Sequence, residues 1–237
     1  MQNTDPNMRL QKFLAHAGLC SRRKAEEYIL KGRVEVNNKI VTELGTKIDP
    51  EKDKIFFNKK AIILKQESKK IYIALNKPEG YVSSCSQLKS KIILDLIDVD
   101  ERVYPVGRLD KDSKGLLLLT NDGDLHNKLS HPSFNHEKEY IVTTVYPLSE
   151  KGLKHMAKGM VIDKVMTRKA KVKRLLKNKF KIVLKEGKNR QIRKMVGKIG
   201  NRVDSLKRVR IANISLENLK EGKWRYLTKK EIEQLTN

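Results

Sequence analysis

Hydrophobic residues in this chain follow two rhythms, one helical and one alternating. In "MRLQKFLAHAG", Leu10, Phe13, Leu14 and Ala17 fall at helical spacing, and Gly18 stands where a C-terminal cap would sit. "SRRKAEEYILKG" restarts the period with Ser21 as N-cap, buries Ala25 and either Tyr28 or Ile29, and stops at Gly32. "RVEVNNKIV" then alternates around Asn37-Asn38, which predicts a hairpin. "DPEKDKIFFNKKAIILKQESKK" completes this unit and ends in a polar linker. The expected division is a front domain over residues 1–66 and a larger domain over 67–237.

After the linker, strands are interspersed with helices. "IYIALNKP" reads as a buried strand stopped by Pro78. "KGLLLLT" is a second, too short for a helix and bounded by Gly115 and the "NDGD" turn. "GDLHNKLSHP" predicts a short helix ending at Pro132, and "KEYIVTTVY" a β-branched strand. "SEKGLKHMAKGM" is a helix capped by Ser149, and "KFKIVLKEG" a strand. In "NRQIRKMVGKIG", Ile192, Met195, Val196 and Ile199 form one helix face. "LKRVRIANISL" and "RYLTKKEIEQL" add a strand and a C-terminal helix. The elements do not alternate strictly. The expected fold class is therefore α+β: a small helix-helix-hairpin domain joined to a mixed, largely antiparallel sheet flanked by helices.

Charge narrows the choice of partner. The chain has 237 residues, 38% of them hydrophobic and 34% charged, with a formal net charge of +24. It is long enough to bury a core, and its field attracts polyanions, nucleic acid foremost. The asymmetry is marked: residues 151–237 hold 27 Lys+Arg against 7 Asp+Glu, a net of +20, while residues 1–150 carry a net of +4. A single run such as "KAKVKRLLKNKFK" reads as a solvated lysine face, but the bias over the whole last third points to polyanion binding. No stretch reaches the roughly 18 apolar residues of a membrane helix, so no membrane association is expected. "MQNTDPNMRLQ" lacks the apolar core of a signal peptide, so a cytoplasmic location is expected. Cys20 and Cys85 form no paired motif and are expected to be reduced thiols.

The stretch with most chemistry is "VYPVGRLDKDSKGLLLLTNDGDL", where Asp110 and Asp112 sit among Arg108, Lys111 and Lys114. It is not a calcium loop: position five is Lys114, position twelve is Asn121 instead of a bidentate Glu, and the flank is strand-like. His126, His131 and His136 are five apart, a spacing that keeps neither helical nor strand alignment, and no cysteine pair accompanies them, so no metal is expected. A paired-carboxylate hydrolase needs converging acids, whereas loop residues at i and i+2 diverge. A single acid kept ionised by nearby cations fits better, because such a carboxylate remains a competent nucleophile at neutral pH.

Two resemblances extend this reading. "RLQKFLAHAGLCSRRKAEEYILKGRVEVNNK" resembles the S4 RNA-binding domain, with Arg9, Lys12, Arg22, Arg23 and Lys24 on or near the first helical turns, where phosphates are favoured. "GRLDKDSKGLLLLTNDGDL" resembles the signature of the RsuA-type pseudouridine synthases, and "ALNKPEGYVSS", "HEKEYIVTT" and "EGKNRQIRKM" agree in order. Ser113 stands for the commoner Thr, and Lys188 for a frequent Arg. The "GRLDKDS", "HEKEYIV", "NRQIRKM" and "LKRVRIANISL…GKWRYLT" variants look most like the RluF branch, which acts on large-subunit (23S) rRNA.

That resemblance implies an enzyme that breaks a uridine N-glycosidic bond, turns the base, and joins C5 to C1′. No redox change occurs and no outside group is added, so no cofactor is expected. It implies Asp110 as the catalytic acid, by attack on the sugar or by proton abstraction to a glycal-like intermediate. Asp112 is read as a turn residue. Tyr140 corresponds to the tyrosine that stacks on the target base, and Arg193 to the basic partner of the aspartate, with Arg190 the rival for that place. Arg108 and Leu109 flank the acid as supporting residues. Lys111, Asn189, Gln191, Lys194, Arg208 and Arg210 join the S4-like set as expected RNA contacts. The expected partner is ribosomal RNA, bound by a monomer. Two competing readings are a non-catalytic RNA-binding or ribosome-assembly protein and an isomerase directed to 16S rRNA or tRNA.

Overall fold

The computed structural model describes residues 6–64, 69–86, 89–130 and 134–236. The chain divides into two compact units, Met1–Lys69 and Lys70–Asn237. The boundary expected at 66/67 lies outside the described residues, as do His131 and Pro132.

The front unit holds helices Leu10–His16 and Arg22–Leu30, a short strand pair Met8–Arg9 with Lys47–Ile48, and a four-stranded antiparallel sheet. Ser21 caps its helix as expected: its hydroxyl oxygen accepts the Lys24 amide at 3.2 Å. Leu10, Phe13, Leu14, Ala25 and Ile29 are buried with Val34, Ile48 and Ile55. Tyr28 lies at the edge of this core, its ring 4.8 Å from that of Phe57 and 4.7 Å from the Arg33 guanidinium. Asn37 and Asn38 take left-handed angles (φ 51° and 64°) between strands Val34–Val36 and Lys39–Val41. Asn58-Lys59 makes a second such turn, between Ile55–Phe57 and Lys60–Ile62.

The second unit is built on one sheet. Its strand order is Lys171–Leu176, Lys179–Leu184, Lys138–Thr144, Val203–Ile211, Lys114–Thr120, Tyr72–Lys77, Trp224–Tyr226. Tyr104–Val106 also pairs with Lys114–Thr120, and Ile214–Ser215 with Val203–Ile211. Every pairing in it is antiparallel except Val203–Ile211 with Lys114–Thr120. Helices Glu150–Lys158 and Gln191–Lys198 pack Leu153, Met156, Ile192, Met195 and Val196 against Tyr140, Val142, Phe180 and Ile182. Helix Gly123–Ser130 starts at Asp122, whose carboxylate accepts the amides of Asp124 and Leu125. The fold is thus α+β with a mixed, mostly antiparallel sheet. One segment departs from expectation. "KVKRLL", read as a charged face, is the strand Lys171–Leu176 at the end of the sheet order. Alternating lysines are how an edge strand resists pairing with other chains.

Candidate active site

The loop 107–113 joins strand Tyr104–Val106 to strand Lys114–Thr120 and carries Asp110. Six consecutive carbonyls of this loop accept hydrogen bonds. Arg208 Nη1 donates to Arg108 O at 3.4 Å, Ser83 Oγ to Leu109 O at 2.8 Å, and the Ser113 amide to Asp110 O at 3.1 Å. The Gly80 amide donates to Lys111 O at 2.8 Å, Arg193 Nη2 to Asp112 O at 2.6 Å, and Lys77 Nζ to Ser113 O at 2.7 Å. The Ser83 hydroxyl also accepts the Leu109 amide at 3.1 Å. A loop so fully bonded holds its side chains in place before any substrate arrives, which is what positional catalysis requires.

The loop enters the sheet at Gly115, which has φ 105° and lies opposite Arg208 in the one parallel pairing. There the two backbones are so close that a Cβ at Gly115 would come within 2.7 Å of the Arg208 nitrogen, and nearer still to its carbonyl oxygen. Leu109 anchors the other end, buried in the same apolar cluster as Tyr140.

The cations meet the two aspartates unequally. Arg190 approaches Asp110 Oδ2 at 3.7 Å but grips Asp112 with both terminal nitrogens, at 3.1 and 2.9 Å. Arg193, expected beside Asp110, instead has its Nε 3.3 Å from Asp112 Oδ2, besides its bond to the Asp112 carbonyl. Asp112, read as a turn residue, is therefore the hub of the ion network. Partial burial pushes its carboxyl up, but the Arg190 hydrogen bonds and the charges of Arg193 and Arg190 outweigh this and hold it below the ordinary carboxylate value. The Asp112 hydrogen bonds raise Arg190 correspondingly, against its own desolvation. Arg190 does not lie on the helix face with Arg193 as the spacing suggested. It precedes helix Gln191–Lys198 in a left-handed conformation (φ 50°), which turns its side chain towards the loop. A depressed carboxyl contributes stability above its unfolded value of 3.8 that is lost as pH falls through the lower folded value. Asp112→Asn is expected to cost under about 1 kcal/mol near neutrality, because the pair is solvent-screened. In thermal melts the gap to wild type should close in acid.

Beneath the loop lies a residue that sequence reasoning missed. Lys77 is fully buried, and its ammonium donates to the carbonyls of Ser113 and, at 3.0 Å, Pro78. Burial lowers its pKa from 10.5 to about 8, despite the pull of Glu79, Asp112 and Asp110. Its signals were a lysine closing an apolar strand and its place in the motif "ALNKPEGYVSS", from which no residue was singled out. Lys77→Met should cost about 2–3 kcal/mol in urea denaturation, since it leaves two carbonyls without their donor. The sign with pH is distinctive. Between about pH 8 and 10.5 the unfolded chain keeps a proton that the folded chain has released, so wild type gains stability as pH rises. The gap to Lys77→Met should widen over that window. Ser83, the second residue missed, offered no signal beyond its place in the same motif.

Tyr140 is 8% exposed in strand Lys138–Thr144, opposite Arg208, whose guanidinium carbon is 6.0 Å from the ring centre. Two expected RNA contacts are corrected here. Arg208 is 2% exposed and bonds the Leu116 and Arg108 carbonyls, so it is an internal tether. Gln191 is 4% exposed and donates to Glu186 while accepting the Lys188 amide, so it organises the start of its helix. Gln191 is the first residue of its helix and Arg208 lies opposite buried Tyr140 in the sheet, and their polar side chains were assigned to RNA from residue type alone. Lys194 pairs with Asp163, and Arg210 with Glu137 and Glu139, which reduces the charge either offers to RNA. Arg108, Lys111 and Asn189 are exposed in this unit. In the front unit Arg9, Arg22, Arg23 and Lys24 are exposed and Lys12 half-buried, Lys24 being paired with Glu27.

Known proteins resemble this chain over most of its length. The RNA pseudouridylate synthase profile matches residues 71–198, and the S4 domain profile matches residues 8–55. The dual-specificity RNA pseudouridine synthase RluF of Escherichia coli (strain K12) is 42% identical over 96% of this chain and 78% of its own. The ribosomal large subunit pseudouridine synthase B of Bacillus subtilis (strain 168) is 40% identical over 96% of this chain and 95% of its own. A crystal structure of a pseudouridylate synthase superposes with a TM-score of 0.71 at 34% identity, covering 96% of this chain and 99% of the other. The chain belongs to the RNA pseudouridylate synthase family, in the branch that carries an S4 domain in front of the catalytic domain.

Proposed function

We propose that this protein isomerises a uridine in large-subunit (23S) ribosomal RNA, as a monomer in the cytoplasm, with Asp110 as the catalytic acid. The observation that carries the reading is the bonded loop: it fixes Asp110 beside a guanidinium, while Leu109 packs into the cluster that holds Tyr140. The names of the relatives supply the RNA class. A uridine must leave its stack before an aspartate can reach C1′, at a cost of a few kcal/mol, least in a loop. Asp110 then works by one of two routes, attack at C1′ or proton abstraction to a glycal-like species. In either case the C5 proton of the uracil is exchanged for the new C5–C1′ bond. Tyr140 is assigned to the base and Arg190 to the carboxylate. The name of RluF carries a dual specificity for RNA, so a second RNA substrate is tested beside large-subunit rRNA, with tRNA as the class chosen. The test is tritium release from C5-labelled uridine in rRNA and tRNA transcripts, with carbodiimide mapping of the product. Release from large-subunit rRNA is expected. No release from any transcript or ribosomal particle would leave only an RNA-binding protein.

A further inference from the structure

The sheet has a second charged surface, on the side opposite Tyr140. Tyr140 and Val142 point into the helix-covered core. Alternation along the strand therefore sends Glu139, Ile141 and Thr143 to the other side. Neither Ile141 nor Thr143 belongs to any apolar cluster among the described residues. The register shows what shares this face. Lys173 lies opposite Lys181, Lys181 opposite Ile141, and Ile141 opposite Lys207. One step along, Lys179 lies opposite Thr143 and Thr143 opposite Ser205. The row reaches, in register, Lys114, which follows the Asp110 loop directly. Strands are about 4.8 Å apart, so Lys173 to Lys207 spans roughly 14 Å.

Like charges directly opposite one another on neighbouring strands are destabilising. Lys181 is balanced by Glu139 at 3.2 Å. Among the described residues, Lys173, Lys179 and Lys207 have no carboxylate within ion-pair reach. A shallow groove on the same face is lined by Glu137, Glu139, Lys171, Lys173, Lys181 and Arg210. The acids there sit at one end, beside Arg210 and Lys171. Of the three unbalanced lysines, Lys173 lines the groove, and Lys179 and Lys207 continue the same face beyond it, opposite Thr143 and Ile141. No aromatic side chain occurs in these rows. Proteins that hold unstacked bases use aromatic platforms, whereas duplex RNA is held through its phosphates and its shape.

We propose that Lys173, Lys179 and Lys207 form a second phosphate-binding surface, which holds a helical segment of the substrate RNA other than the one that delivers the uridine. This rests on an RNA substrate but not on turnover. The test uses the full-length chain with Lys173, Lys179 and Lys207 all changed to Gln, read by fluorescence anisotropy on an RNA duplex of about 20 base pairs, longer than the roughly 16 that a duplex-binding domain covers. Each phosphate that the variant leaves unneutralised should lower the slope of log affinity against log salt by roughly 0.9. The triple variant should therefore bind about tenfold more weakly at low salt, with the slope reduced by two to three. The matching Arg triple should behave as wild type. Equal slopes and affinities for wild type and the Gln triple would overturn the proposal. Turnover on a short hairpin carrying only the target loop should be unchanged in the Gln triple. A loss there equal to the loss on full rRNA would place these lysines in the active-site cleft and also overturn it. A wild type without turnover defeats the proposed activity alone, because the anisotropy measurement needs none.

Discussion

Asp110→Asn should abolish isomerisation, with a fall of at least about 10⁴-fold in tritium release under single-turnover conditions. The amide matches the carboxylate in shape but can neither attack C1′ nor take a proton. The fold should hardly notice. Asp110 is about one-third exposed, its nearest cation is 3.7 Å away, and that cation makes its closer bonds to Asp112. The loop backbone is held by groups that the substitution leaves alone, so urea midpoints within about 0.5 kcal/mol of wild type are expected. RNA affinity should also persist, since one acid has been removed from a cationic cleft. Full release by the Asn variant would exclude Asp110 as the catalyst. Asp112→Asn supplies the contrast: it disturbs the arginines yet leaves the proposed acid, Asp110, in place, and should keep measurable activity.

Gly115→Ala should be the most destabilising single methyl in the molecule, costing about 4 kcal/mol or more. Two penalties coincide. At φ 105° an L side chain is strained. In addition, the new Cβ would meet the Arg208 backbone at its nitrogen and carbonyl, and neither can swing aside as a flexible side chain would. Relief requires Lys114–Thr120 to part from Val203–Ile211, and Ser113, which Lys77 and Arg193 contact, adjoins that seam. Activity should fall with stability. Denaturant titration and amide exchange along the two strands check this, and an Ala variant with a native midpoint would show the close approach to be unneeded. Gly107, with φ 70° but open space around it, should tolerate Ala far better.

How much of this was legible beforehand differs between levels. The helices at Arg22–Leu30 and Gln191–Lys198, the hairpin at Asn37-Asn38, and the leucine strand were readable because periodicity, caps and turn residues act over a few neighbours. The charged edge strand Lys171–Leu176 was missed because strand formation there depends on a partner, Lys179–Leu184, and on nothing in its own composition. The proposed acid, Asp110, stood out in "GRLD". Its environment was not: Arg193 was matched to Asp110, while the folded chain brings it to Asp112.

The amino-acid order alone determined that the chain has a small basic front module, an α+β second domain, a strong attraction for polyanions and one loop suited to carboxylate chemistry. Each of those follows from short-range pattern or from summed charge. Only the tertiary structure decided which aspartate the arginines neutralise, that Arg208 and Gln191 face inward, and that Lys77 supports the loop from below. The physical reason is distance along the chain. Lys77 and Ser113 are 36 residues apart, and Arg190 and Asp112 are 78 apart. Such contacts are set by how strands line up and how helices pack on them, and no local rhythm encodes that.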